Sequence, residues 1–271
     1  MADFRSIVGR PGALIGMVHV GALPGTPRSV KGVRELAAAA ADEARTLEGA
    51  GFDAIIVENM HDVPYVHGAR VGPEIVAAMT RIVSEVRAAV NVPMGVQVLS
   101  GGAQQALAVA HACGAGFIRV ENFVFSHIAE EGLLSEGEAG TLLRYRKAIG
   151  ADEVAILADI DKKHASHAIT ADLPLADWAH AAEYFLADGV IVTGRFTGKP
   201  PTEADLASAK AACEIPVVVG SGATPPLLGT MLKHADAVIV GTAIKQGGDW
   251  KNPVDAARAK AFVAEADKHR R

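Results

Sequence analysis

The chain has only two cysteines, Cys113 and Cys213, a hundred positions apart and without Cys-x-x-Cys spacing. That excludes a disulfide framework and a cysteine-built zinc site. Both thiols fall near the ends of apolar helical runs and read as buried. Lysine and arginine form no cluster beyond the terminal Lys268-His269-Arg270-Arg271, in a chain of formal net charge −5. Binding to nucleic acid through a basic surface is therefore not expected. The apolar run 13–23 is too short to span a bilayer and contains His19, so no membrane insertion is expected. The start of the chain lacks a charged stretch leading into an apolar one and a cleavage site. A reduced, cytoplasmic setting is the resulting expectation. A His-Glu-x-x-His pair is also missing, and no glycine-rich dinucleotide turn follows the first apolar strand.

What is present is an alternation. Short β-rich runs at 13–18, 53–57, 93–98, 116–120, 154–158, 189–192, 215–219 and 237–240 are each followed by an alanine-rich helical run. The helices are expected at 32–49, 73–90, 103–113, 136–149, 175–187, 202–213, 225–234 and 253–269. The strands are near-continuous apolar runs, as parallel strands covered on both faces require. The units echo one another. Gly49-Ala50-Gly51-Phe52-Asp53-Ala54-Ile55-Ile56-Val57-Glu58-Asn59 resembles Gly114-Ala115-Gly116-Phe117-Ile118-Arg119-Val120-Glu121-Asn122, and 188–193 resembles 236–241. Eight such units in 271 residues match the size of one barrel. The expectation is an α/β fold, a single (β/α)8 TIM barrel domain over 1–271.

In that fold chemistry sits where strands end. His19 follows the first strand, Glu58 and Asn59 the second, Gln97 ends the third and Glu121 the fourth. Asp159, Lys163 and His164 follow the fifth, Thr193 and Arg195 the sixth. Gly220-Ser221-Gly222-Ala223 follows the seventh and Gly241-Thr242 the eighth. Small residues after strands seven and eight let backbone N–H groups approach an anion, so these two loops are the expected phosphate grip. His19, Glu58, Glu121, Asp159, Lys163 and His164 are the candidate catalytic groups. Asn59, Gln97, Thr193 and Arg195 are candidate substrate contacts.

Two readings of the carboxylates compete. Glu58, Glu121, Asp159 and His19 would hold a divalent metal ion, or the carboxylates would pair with Lys162, Lys163 or Arg195. Strand alternation predicts that Asp159, Asp161 and Lys163 share one side. The stretch 123–134 is predicted to be a loop over the barrel mouth or against a neighbouring subunit, and a homo-oligomer is a common state for such barrels.

Several phrases resemble the BtpA/SgcQ family in order along nearly the whole chain. They are Gly16-Met17-Val18-His19 with Leu23-Pro24-Gly25, Ile56-Val57-Glu58-Asn59 with Asp62-Val63-Pro64-Tyr65, Phe117-Ile118-Arg119-Val120, and Leu142-Leu143-Arg144-Tyr145-Arg146. Asp159-Ile160-Asp161-Lys162-Lys163-His164, Val192-Thr193-Gly194 and Gly220-Ser221-Gly222-Ala223 complete the set. The resemblance implies a fold similar to ribulose-phosphate-binding barrels and a phosphorylated ligand. Many members read Gly-Val-Asn-Val-Leu-Arg-Asn-Asp where this chain has Gly95-Val96-Gln97-Val98-Leu99-Ser100-Gly101-Gly102, and Arg-Val-Asn where it has Arg119-Val120-Glu121. One cation is lost and one carboxylate gained.

The expected function is an enzyme acting on a phosphorylated, sugar-like small metabolite, of lyase or isomerase type. The alternatives are a metal-assisted hydrolase of a glycosidic or phosphoryl bond in a nucleotide-like substrate, and a non-catalytic assembly factor using the barrel as a scaffold.

Overall fold

The computed structural model describes residues 2–270. A short helix, α1 (Phe4–Val8), precedes eight barrel strands. These are β1 (Ala13–His19), β2 (Ala54–Glu58), β3 (Met94–Gln97), β4 (Phe117–Val120), β7 (Ala155–Ile160), β9 (Gly189–Val192), β10 (Val217–Val219) and β11 (Ala237–Val240). They pair in parallel as a closed ring, β1-β11-β10-β9-β7-β4-β3-β2. The helices outside the ring are α2 (Val33–Ala50), α3 (Pro73–Ala89), α4 (Ala103–Cys113), α5 (Ala139–Ala148), α6 (Leu175–Tyr184), α7 (Glu203–Ala212), α8 (Leu228–His234) and α9 (Ala256–Ala266). This is the (β/α)8 TIM barrel.

Most expected boundaries hold to within three residues. The helix expected from 225 opens as a 3-10 turn, Pro225–Leu227, with proline in its first positions and the Leu228 N–H bonded to the Pro225 carbonyl. The last helix starts late, at Ala256, where the Asp255 carboxylate accepts the Ala257 and Arg258 N–H groups as an N-cap. Two elements were not expected. One is α1. The other is a small antiparallel sheet of β5 (His127–Ala129), β6 (Gly132–Leu134) and β8 (Ala165–Ser166). It replaces much of the loop expected at 123–134.

Alternation along each strand divides the core in two. One set of side chains faces the helices, including Leu14, Ile55, Val96, Ile118, Val190 and Val238. The other faces the lumen, including Ile15, Met17, Ile56, Phe117, Leu157 and Ile239. Gly95 leaves room for the Phe117 ring, which a Cβ there would overlap. Phe4 of α1 packs edge-on against that ring, centroids 5.4 Å apart, and closes the N-terminal end. A buried phenylalanine contributes up to about 3 kcal/mol, so this end is an apolar plug. One step further along the same lumenal parity stand Glu58, Arg119 and Asp159. The strand period that builds the plug therefore aims the charged groups into the mouth.

The loop after β11 is anchored from outside the lumen. Lys245 is fully buried and its Nζ lies 2.7 Å from Glu43 Oε2 on α2. Among the described residues, no helix is long and apolar enough to cross a membrane.

Candidate active site

The mouth encloses about 470 Å³ at the C-terminal ends of the strands. Its β4–β7 side is made of matched charges. Arg119 Nε and Nη2 donate to Asp159 Oδ2 and Oδ1 at 3.0 and 3.1 Å, a bidentate pair with both side chains buried. Burial pushes the Asp159 carboxyl up, and the guanidinium pulls it back. Lys162 Nζ donates to Glu121 Oε1 at 3.2 Å. Burial alone would raise Glu121, but Lys162, the Gly101 N–H at 3.0 Å and Arg119 outweigh it and lower its pKa to about 2.

The β1–β2 side is different. Glu58 is only 5% exposed, and its nearest opposite partner is His19 Nε2 at 3.7 Å. Burial raises its pKa to about 7, against the pull of Arg119 and Lys163. His19 Nδ1 donates to the Trp250 carbonyl at 3.0 Å. Burial and the Lys245 charge hold this ring well below its usual range, so it is neutral and presents the Nε2 lone pair. Lys163 Nζ has no carboxylate within ion-pair distance among the described residues. Burial and the neighbouring Arg119 lower its pKa to about 8.

Beside His19, at the ends of β10 and β11, lie the glycine-rich loops. Among the described residues, the backbone N–H groups of Gly222, Ala223, Thr242 and Ala243 have no protein acceptor. All four residues line the mouth. Gly222 has φ +70, and a Cβ there would strike the Lys199–Pro200 backbone, so only glycine lets the two loops approach. Gly220 leaves space for the Ile191 and Thr193 methyl groups, which a Cβ there would overlap, and its carbonyl is reached by Arg119 Nη1 at 3.5 Å. The Ser221 hydroxyl is occupied: it donates to the Lys199 carbonyl at 2.8 Å and accepts the Gly194 N–H at 3.3 Å.

The structure brings His19, Glu58, Gln97, Glu121, Lys163, His164, Gly220, Ser221, Gly222, Ala223, Gly241 and Thr242 to one mouth, and Asp159 reaches it through Arg119. It does not bring all the expected substrate contacts there. The Asn59 amide joins Asp62 at 2.8 Å and both the N–H and the carbonyl of Leu99, so it ties two loops together. Thr193 Oγ1 accepts the Lys163 N–H at 3.1 Å and sets that backbone. The Arg195 side chain is exposed and away from the mouth. His164 sits on the rim between Thr197 and Glu130. Asp161 does not share a side with Asp159. Its φ of +45 breaks the strand alternation, and it turns outward to His167 at 3.3 Å. Both Lys162 and Lys163 consequently reach the mouth.

Among the described residues, no three His, Cys, Asp or Glu side chains are grouped to hold a metal ion. Glu58, Glu121, Asp159 and His19 do not form a ligand set, because Asp159 and Glu121 each bind a cation of the chain.

Arg119, Ser100 and Trp250 also line the mouth and were not among the expected site residues, whereas Lys162 pairs with a carboxylate as one of the two readings expected. Arg119 had a signal: a charge at the lumenal parity of an otherwise apolar strand, two places after Phe117. Trp250 had none, since it lies ten residues beyond the last strand. The two departures from the common family pattern are neighbours in space, as Ser100 Oγ donates to Glu121 Oε2 at 3.0 Å.

The barrel is similar to thiamine phosphate pyrophosphorylase of Pyrococcus furiosus, at 14% identity and TM-score 0.61 over 98% of each chain. It is also similar to (S)-3-O-geranylgeranylglyceryl phosphate synthase of Thermoplasma acidophilum, at 18% identity and TM-score 0.62 over 99% of this chain and all of that one. At such identities the likeness shows the fold. In sequence, the chain is 40% identical over 255 residues to an uncharacterized mitochondrial protein of Caenorhabditis elegans, covering 92% of this chain and 91% of the relative. It is 40% identical over 251 residues to the photosystem I biogenesis protein BtpA of Synechocystis, covering 92% and 86%. The BtpA family model matches residues 10–268, and the chain therefore belongs to the BtpA family.

Proposed function

We propose that the protein is an enzyme of lyase or isomerase type that moves a proton next to the carbonyl of a phosphorylated, sugar-like small metabolite. One observation carries this reading. Glu58, with a pKa near 7, and Lys163, with a pKa near 8, share a buried mouth and have no hydrogen-bonded counter-ion there. A buried acid and base tuned toward neutrality suit proton transfer. The donors of Gly222, Ala223, Thr242 and Ala243 would bind the phosphate.

In the forward step the Glu58 carboxylate takes the proton from carbon. The electron pair moves into the carbonyl, and the Lys163 ammonium meets the negative charge that develops on oxygen. Arg119, held by Asp159, adds positive potential without giving up a proton. For isomerisation, Lys163 gives a proton to that oxygen and recovers one from the hydroxyl on the deprotonated carbon, while Glu58 returns its proton to the former carbonyl carbon; for elimination, a group on the next carbon leaves with its bonding electron pair and takes the proton from Glu58. A positioned base of this kind contributes about 10²- to 10⁴-fold in rate. The metal-assisted hydrolase reading finds no ligand set to support it.

The test is exchange of substrate C–H protons in D₂O across a panel of sugar phosphates, followed by NMR, after ligands are first chosen by thermal shift. Exchange catalysed by the wild type and lost in a folded Glu58→Gln variant supports the reading. Lys163→Met should remove the alkaline limb of the pH profile near 8. No thermal shift with inorganic phosphate or any panel member would overturn it. A folded Glu58→Gln variant that keeps the protein's full cellular role would make the barrel a scaffold.

A further inference from the structure

The ring order places β3 across from β10 and β4 across from β11, four places apart in each case. The wall facing the glycine-rich loops across the mouth is thus made by the ends of β3 and β4, with the β5–β6 turn above them. Glu121 comes from beyond β4, Glu131 from the β5–β6 turn, and Ser100 and Gln97 from β3 and its loop. All four line the mouth. The Ser100 hydroxyl approaches both Glu121 Oε2 and Glu131 Oε1. A hydroxyl has one hydrogen, so it satisfies one carboxylate at a time. Lys162 is the one cation in ion-pair contact with this pair of carboxylates among the described residues, and it contacts Glu121 rather than Glu131.

A separate observation points to a ligand. Gln97 is 2% exposed, yet its Oε1 has no hydrogen-bond partner. It is paired in register with Glu58 on the next strand. A buried amide oxygen without a donor costs about 1–3 kcal/mol, and a donor on a ligand in the mouth would remove that cost. Beyond Lys162, Ser100 and the Gln97 amide nitrogen, this wall offers acceptors: the Gln97 oxygen and the oxygens of Glu121 and Glu131.

From this we infer that the substrate is a phosphorylated metabolite whose end remote from the phosphate carries a primary ammonium group. The ammonium sits against Glu131 and Glu121 and donates to Gln97. It brings a positive charge to Glu131, which no cation of the described residues contacts, and a hydrogen to the unpartnered Gln97 oxygen. This rests on the phosphate reading of the opposite loops. A carboxylate or second phosphate at that end would meet Glu121 and Glu131 as like charges. A hydroxyl would supply one hydrogen and no charge.

The experiment is calorimetric titration with alkyl monophosphates of three to six carbons ending in an amine, a hydroxyl or a carboxylate, with inorganic phosphate alongside. The expected result is an affinity for the best amine at least about 10-fold above that of its hydroxyl counterpart, and the carboxylate weakest. Glu131→Gln should bring the amine down to the hydroxyl's level. A thermal shift with inorganic phosphate in that variant shows that it is folded. Binding of inorganic phosphate with equal affinity for amine and hydroxyl probes, or a preference for the carboxylate, overturns the inference and leaves the phosphate site standing. No binding of inorganic phosphate overturns the phosphate reading and the inference with it. An amine preference that survives in Glu131→Gln overturns the assignment of this wall.

Discussion

On the β4–β7 side of the mouth, Asp159 meets Arg119 through two hydrogen bonds and Glu121 meets Lys162 through one. On the β1–β2 side, Glu58 is as deeply buried as Asp159, and its nearest opposite partner is an imidazole 3.7 Å away. All three are carboxylates, and Asp159 and Glu58 are both buried. The partner makes the difference. A buried carboxylate with its own cation stays charged and serves as a fixed piece of the electric field. One without such a partner is pushed toward the neutral form and is free to exchange a proton. Burial alone therefore does not set the charge of a carboxylate; the presence or absence of a bound cation decides it.

The largest expected effect comes from breaking the matched side. Arg119→Met leaves Asp159 buried and unpaired, and should destabilise the fold by about 3–5 kcal/mol. Denaturant titration measures it. Adding Asp159→Leu should recover most of that loss. If the double variant is no better than the single one, the pair is not the isolated unit described.

Glu58→Gln should act in the opposite direction. The folded pKa near 7 lies above the ordinary 4.5, so between those values the native state binds more protons than the unfolded chain. Wild-type stability then falls as pH rises through that window. Above pH 8 the ionised Glu58 costs up to about 3 kcal/mol. The variant should be more stable than wild type by roughly 1–3 kcal/mol at pH 8, and the gain should vanish toward pH 4.5. A variant less stable than wild type at pH 8 would place Glu58 with the matched charges instead.

The smallest effect on stability belongs to the cradle. Thr242→Glu puts a negative charge beside the four unpartnered N–H groups. It should shift stability by under about 1 kcal/mol while removing the thermal shift produced by inorganic phosphate. Gly222 is the wrong position for such a test, because any side chain there strains the backbone before it touches a ligand. If Thr242→Glu keeps the phosphate shift, the anion sits elsewhere.

The barrel was legible because its signal is local and repeated. Each apolar strand run, each closing glycine and each alanine stripe, such as Leu36, Ala37, Ala40, Ala41, Ala44 and Leu47 of α2, is read within one unit. The mouth was legible in part for the same reason, since strand ends are defined by the strands. Asn59 and Arg195 misled. Position at a strand end does not say whether a side chain turns to the lumen or to a neighbouring loop. Asp161 misled because a single left-handed residue reverses the parity that alternation assumes. The sheet of β5, β6 and β8 was missed because its strands are two or three residues long, below the length at which alternation is visible.

By itself, the order of residues determined eight strand–helix units, their closure into a parallel barrel, and the collection of charged groups and small loops at one end of it. Those follow from periodicity and from the short range of backbone hydrogen bonding. Only the tertiary structure decided which carboxylate meets which cation. Arg119 and Asp159 are 40 residues apart, and Lys162 and Glu121 are 41 apart. Their contacts exist because neighbouring strands close the ring. Electrostatic pairing depends on distances of a few ångströms in space, and separation along the chain carries no record of them.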